Sequence, residues 1–393
     1  MKHMPFLAVL CTLPFIASSL RADTGSAFYG DPPDEHHPWA VHDHNRPQPK
    51  KVDPLPYDAA KAKAPADAVV LIGGADADVN KWEADKGAGA PTAWTLKDGV
   101  FQCVPKSGYV RTKDKFGDCQ LHVEWSAPTP PQGESQGRGN SGIFLQGLIE
   151  IQVLDNYNNP TYADGFACSM YGVSPPLANA LRPPGEWQSV DITFRRPIYK
   201  DGKCVEQGFV TVYCNGVLVQ DHTQIEGGTG HKGRSKASPF PDAGPLKLQD
   251  HGNPVRYRNI WLQTLPPRTA DEKATTLTTL TAEETTAKRK EIAADIRADA
   301  AKLEGTTKML RLLESLAYFQ HLEVMKQVDV LGSEFQASIE KVPADKIESK
   351  KGEVMQVNNA LKYLVKANII PAENPGLKFT NKVIVDHGWD GKK

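Results

Sequence analysis

At 393 residues the chain has room for two domains, and its 46 basic and 47 acidic side chains almost cancel. That balance excludes the strong positive field expected of a nucleic-acid binder or of a protein held to an anionic membrane surface. Beyond the N-terminus no run is long and apolar enough to span a bilayer, which excludes stable membrane insertion.

Lys2 and His3 precede an apolar run over 5–20 that is broken by Pro14 and closes on Leu20-Arg21-Ala22. This pattern predicts a signal peptide over 1–22, cleaved after the small Ala22, and hence an exported protein, periplasmic or extracellular. Cys11 lacks the small residue expected before a lipidated cysteine. Export permits disulfides, and the mature chain keeps Cys103, Cys119, Cys168, Cys204 and Cys214, an odd number. A Cys204–Cys214 bridge is one option, and no Cys/His spacing suggests zinc.

Residues 23–66, rich in Pro, His and Lys, lack periodicity and read as a strap or linker. With no regular element flanking them, His36, His37, His42 and His44 read as solvated loop side chains rather than metal ligands. From 67 to 266 the chain is β-rich, with strands expected at 69–72, 99–104, 108–112, 118–126, 143–154, 188–196, 208–214, 217–221, 245–250 and 255–263. Asn215-Gly216 between two of these runs is the signal for a two-residue hairpin turn with both residues at positive φ. Many short strands punctuated by turns predict a β-sandwich or jelly roll.

The stretch 116–155 is the most informative. Asp118, Gln120, His122, Glu124 and Ser126 alternate with Cys119, Leu121, Val123 and Trp125, the period of a half-buried strand. Ile149, Ile151 and Val153 likewise alternate with Glu150 and Gln152. The loop 128–139 reads as a flexible polar rim, since no phosphate-cradling motif or helix start follows it. After Pro266-Pro267 the composition changes: 27 of the 30 prolines lie before residue 268. Thr281-Ala-Glu-Glu284 is a capping box, and apolar residues then recur at helical spacing (Met309, Leu312, Leu313, Leu316; Val354, Val357, Leu361, Leu364). Residues 267–393 are therefore expected to form a small helical region, with self-association or a protein partner as its expected role.

Glu124 and Glu150 lie on the polar faces of their strands, and two carboxylates facing one groove can divide into an acid and a base. Glu150 and Asp155 differ in strand parity, which disfavours a retaining pair about 5–5.5 Å apart. His251 shares an outer face with Lys247 and Gln249 and suits proton transfer. Arg195 and Arg256 can clamp ligand oxygens or pair with the Glu residues. Tyr157, Trp187 and Tyr257 can stack on sugar rings or serve packing.

Taken in order, HPWAVHDHNRPQP, FGDCQLHVEWSAP, GRGNSGIFLQG, EIQVLDNY, YADG, PPLANALRPPGEWQSVDITFRRP, VTVYCNGVLV and GPLKLQDHGNPVRYRNIWL resemble the 3-keto-disaccharide hydrolase domain family of exported bacterial proteins. The resemblance implies a concanavalin-like jelly-roll β-sandwich, with the C-terminal helical region outside it, and a carbohydrate substrate oxidised at sugar carbon 3. A ketone there acidifies the C2 proton, so elimination of the C1 substituent followed by water addition needs a base, an acid and enolate donors. The residues implied are His251 or Glu124 as base and Glu150 as acid. The resemblance implies Asn140, Gln152 and Arg256 as substrate-holding residues, and His122, Tyr157, Arg195 and Gln249 are expected to join them. A divalent metal on Glu124, Glu150 and His251 is an alternative way to polarise the ketone. A carbohydrate-binding jelly roll without turnover is the alternative function.

Overall fold

The computed structural model describes residues 29–391, apart from positions 59, 61, 88, 267 and 269–281. The expected signal peptide and Thr281 of the capping box lie outside the described residues.

Two antiparallel sheets pack face to face as a concanavalin-like jelly roll. The larger runs Val217–Ile225, Gly208–Cys214, Gln188–Arg195, Cys119–Ser126, Arg256–Thr264, Val100–Gln102, Thr95–Lys97, with Val69–Ile72 also pairing onto Arg256–Thr264. The smaller runs Trp82–Ala84, Val110–Thr112, Lys247–Leu248, Ser141–Leu145, Ile149–Val153. One core fills the space between them. Leu121, Val123, Trp125, Val190, Ile192 and Tyr257 reach it from the larger sheet, and Ile143, Ile149, Ile151, Val153 and Leu248 from the smaller. This arrangement follows from the period of two: alternate residues enter the core and their neighbours face outward. The outward faces of the two sheets therefore look in opposite directions.

The expected run 143–154 is two strands, because Gln146 and Gly147 take positive φ (51° and 69°) and fold it into a hairpin. Its nearly unbroken apolar sequence hid the turn. Asn215 and Gly216 adopt positive φ (51° and 81°) and join Cys214 to Val217 as the turn signal requires. The strands Trp82–Ala84 and Thr95–Lys97 and the two-stranded ribbon of Ile198–Lys200 with Lys203–Glu206 were not legible. All five described cysteines are free, so the Cys204–Cys214 bridge does not form: Cys214 is in the core and Cys204 lies in the ribbon.

The C-terminal region holds α1 (Ala282–Ala300), α2 (Gly305–Tyr318), α3 (Leu322–Glu340), α4 (Lys351–Lys366) and α5 (Pro375–Asp386). Met309 and Leu313 of α2 pack with Val354, Val357, Leu361 and Leu364 of α4 in a separate core. At α5, Asn374 caps the helix by accepting from the Leu377 N–H, with Pro375 in the first turn. None of these helices is long and apolar enough to cross a membrane.

The strap is seated, and its histidines are not simply solvated. Lys50–Lys51 pairs in parallel with Ala178–Asn179, and Trp39 packs against the helical core. Tyr318 donates to Asp43, and Arg311 of α2 donates to Asn45 (2.7 Å). His37 bridges Asp34 and Glu226, each at 2.8 Å, His42 contacts Asp164, and His44 faces Glu314 (3.2 Å). The helices thus dock on the chain's own strap, which accounts for part of their apolar surface without a second molecule.

Candidate active site

The sequence-derived site residues divide between the two outer faces. His122, Glu124, Arg195 and Arg256 lie outside the larger sheet, whereas Asn140, Glu150, Gln152, Gln249 and His251 belong to the smaller sheet's side. Register fixes the division. Val123 and Tyr257 are in the core, so Glu124 and Arg256 must point away from it, and Ile151 does the same for Glu150 and Gln152. Glu124 and Glu150 therefore do not converge, and the expected pairing of Glu124 with Glu150 as base and acid is corrected.

Glu124 is fully buried and saturated. Its carboxylate accepts from Tyr57 Oη (2.7 Å), Asn259 Nδ2 (2.8 Å) and Arg258 Nε (2.6 Å), with His122 Nε2 at 3.5 Å. Burial alone would raise its pKa, but hydrogen bonds from His122, Asn259, Tyr57 and Arg258 bring it down to about 2. His122 also donates from Nδ1 to Asp191 (2.7 Å) and stacks on Trp261. Burial opposes its charge, yet Asp191 and Glu124 raise it to about 9. A carboxylate engaged on both oxygens and with so low a pKa is a structural ion, not a proton acceptor. Arg256 is spent on Ser126 Oγ (2.8 Å) and the Gly185 carbonyl, and Arg195 on Asp118 (3.2 Å) and the Pro266 carbonyl. Tyr157 lies beyond the Ile149–Val153 strand with Lys51 Nζ over its ring (4.3 Å).

The smaller sheet presents a different environment. Glu150 is only 7% exposed, and among the described residues its carboxyl has no hydrogen-bond partner. Burial alone pushes its pKa up to about 8. Its backbone pairs with Phe144, and its carboxyl lies over Gly142: a Cβ there would stand 2.3 Å from Glu150 Oε1. Gly142→Ala should displace the carboxyl and cut any Glu150-dependent turnover at least tenfold, while a melting temperature far below wild type would instead mark a packing defect.

Around Glu150 stand buried amides with one end unused. Gln249 donates to Tyr109 Oη (2.8 Å), Gln152 to Gln136 Oε1 (2.9 Å), and Asn140 to the Gln136 carbonyl (2.7 Å). The side-chain oxygens of Gln249, Gln152 and Asn140 are buried without a partner. Buried acceptors left open suit a ligand rich in donors, and sugar hydroxyls are such donors. Tyr109 Oη accepts from Gln249 and keeps its own proton for a ligand oxygen. His251 follows the Lys247–Leu248 strand in an exposed turn.

Gln136, Tyr171, His231, His42 and Asp164 were missed. Met170 bridges Ile151 and enters the core, so Tyr171, whose N–H donates to the Glu150 carbonyl (3.1 Å), points outward beside Glu150. Tyr171 Oη meets Tyr162 Oη (2.7 Å) and His231 Nδ1 (3.1 Å). Gln136 sits in a short 3-10 turn, Ser135–Gly137, tied also to Thr161 and to the Gly165 carbonyl, so the expected flexible rim is an ordered wall. The available signal was YADG and the strap's HDHNRP, both part of the resemblance but given no chemical role. The ligand set Glu124, Glu150 and His251 does not assemble. Among the described residues the single three-membered metal-ligating group is Asp43, His44 and Glu314, where Tyr318 and Arg311 already engage the carboxylates.

Residues 67–263 match the model of the 3-keto-alpha-glucoside-1,2-lyase-like domain family. The chain belongs to this family. A candidate glycosyl hydrolase from Parabacteroides distasonis ATCC 8503 is similar at 45% identity with a TM-score of 0.50, covering 55% of this chain and 94% of that one. A second from the same organism shares 20% identity over 55% of this chain and all of that one, with a TM-score of 0.38. The carbohydrate-binding module CBM66 from Bacillus subtilis shares 8% identity over 47% of this chain and 96% of that module, with a TM-score of 0.28. These last two are too distant in shape to bear on the site. No curated protein matches the chain. The 3-keto-alpha-glucoside-1,2-lyase-like domain contains Glu150 and its amides but neither the strap up to residue 66 nor the helices.

Proposed function

We propose that this chain is an exported carbohydrate-active enzyme that cleaves glycosides carrying a ketone at sugar carbon 3. The observation that carries the reading is Glu150, unpartnered and held protonated near neutral pH, among buried amide oxygens left without hydrogen-bond partners. A base takes the C2 proton, the electron pair forms the enolate, and expulsion of the C1 oxygen leaves a 1,2-unsaturated 3-keto sugar. Glu150 protonates the departing oxygen, and Tyr109 donates to the enolate. The exposed imidazole of His251, just past the strand that pairs with Ser141–Leu145, is the base in this assignment. Water adding across the new double bond yields the free 3-keto sugar. Family membership supports the substrate class.

The test offers 3-keto-disaccharides and their unoxidised parents to the full chain, and follows enone absorbance, sugar release and deuterium exchange at C2. Release and exchange with the keto form alone are expected. Saturable binding without release would make the protein a carbohydrate-binding module, and equal cleavage of the unoxidised sugar would make it an ordinary glycosidase.

A further inference from the structure

The strap residue His42 carries three features that are each unfavourable for a loop side chain. Its backbone sits at φ 59°, a left-handed conformation that a non-glycine residue adopts at a cost. Its side chain is entirely buried. Its Nε2 has no hydrogen-bond partner, which is unfavourable for a buried polar atom. An unsatisfied, strained, buried imidazole is retained where something else uses it.

The other side of the ring is fixed. Nδ1 donates to Asp164 Oδ1 (3.1 Å), and the His42 N–H donates to Asp164 Oδ2 (2.9 Å). Burial would raise the Asp164 carboxyl, but the His42 contacts and the Arg46 charge hold it below its ordinary value, so it stays ionised. With Nδ1 committed to Asp164, Nε2 is the ring's remaining hydrogen-bonding atom. The ring stacks on Tyr162 (4.1 Å between centroids) and lies 4.9 Å from Tyr171 and 5.5 Å from His231. Tyr171 stands beside Glu150 on the same outward face. His231 is exposed and held between Tyr171 Oη (3.1 Å) and Tyr29 Oη (3.2 Å). The next residues are clamped by α2: Asp43 by Tyr318, His44 by Glu314 and Asn45 by Arg311.

We propose that the strap is a wall of the sugar site, in which His42 Nε2 forms a hydrogen bond with a substrate hydroxyl once His231 swings aside. Asp164 is the positioning residue that orients the ring, and α2 holds the strap in register. The inference rests on the reading of the smaller sheet's face as a 3-keto-sugar site. It extends that site to residues outside the matched domain and gives the helical region a part in binding.

The experiment uses the full chain with Glu150→Gln, which should hold a 3-keto-disaccharide without cleaving it, labelled with 15N-histidine. Saturation with the sugar should move the His42 Nε2 resonance. In the chain with Glu150 intact, His42→Asn, which tolerates the left-handed backbone, and Asp164→Asn should each raise KM about tenfold with a much smaller change in kcat. An unmoved Nε2 resonance with wild-type KM in both variants would overturn this proposal while leaving the enzyme reading in place. A wild-type chain that neither binds nor cleaves the keto sugar would remove both.

Discussion

Glu150→Gln is expected to lower kcat/KM on a 3-keto-disaccharide by about 10²–10⁴-fold, the range for loss of a general acid. The same residue should dominate the alkaline side of both activity and stability. Its pKa is about 8 in the fold against an ordinary 4.5, so the fold favours the protonated carboxyl. Below pH 4.5 folded and unfolded chains are both protonated, and Glu150 then carries no penalty. As pH rises from there through 8, the unfolded chain ionises first and stability falls, by up to about 1.4 kcal/mol per unit. Gln cannot ionise, so the melting temperature of Glu150→Gln minus wild type should be near zero at pH 4.5 and grow until above pH 8. Wild-type activity should fall over the same upper limb as the acid form disappears. A stability difference that does not change with pH, or a variant with wild-type turnover, would remove Glu150 from the mechanism.

Strand parity was legible from the residues, but sheet membership was not. Alternation in 118–126 and 149–153 placed Glu124 and Glu150 on the polar sides of their strands, and both placements hold. A polar side is defined relative to its own sheet, however, and these strands lie in sheets facing opposite ways. Which sheet a strand joins depends on long-range pairing, such as Lys247–Leu248 entering beside Ser141–Leu145, and no local pattern encodes it. Saturation of a carboxylate is equally hidden, because Tyr57 and Arg258, which occupy Glu124, lie 67 and 134 residues away. His42 was unreadable for a related reason. An aperiodic, proline-rich segment looks solvated until α2 and Asp164, from distant parts of the chain, close around it.

Glu124→Ala should be the most destabilising of the substitutions considered, by about 3–5 kcal/mol, because it leaves the guanidinium of Arg258 without its anion and the buried imidazolium of His122 with Asp191 alone. The melting temperature should drop on the order of 10 °C. Sign and pH window follow from the two shifts. Glu124 is depressed to about 2, so its stabilisation is complete above its ordinary 4.5 and vanishes as pH falls through 2. His122 is raised to about 9, so its contribution is complete below its ordinary 6.5 and is lost as pH rises through 9. The gap between wild type and Glu124→Ala should thus be widest between pH 4.5 and 6.5 and close toward strong acid. Turnover per folded molecule should stay near wild type, since Glu124 lies across the sandwich from Glu150. Thermal melts from pH 2 to 9, combined with kinetics at a temperature where the variant is folded, separate the two roles. Lost turnover at an unchanged melting temperature would return Glu124 to the chemistry and place the site on the larger sheet.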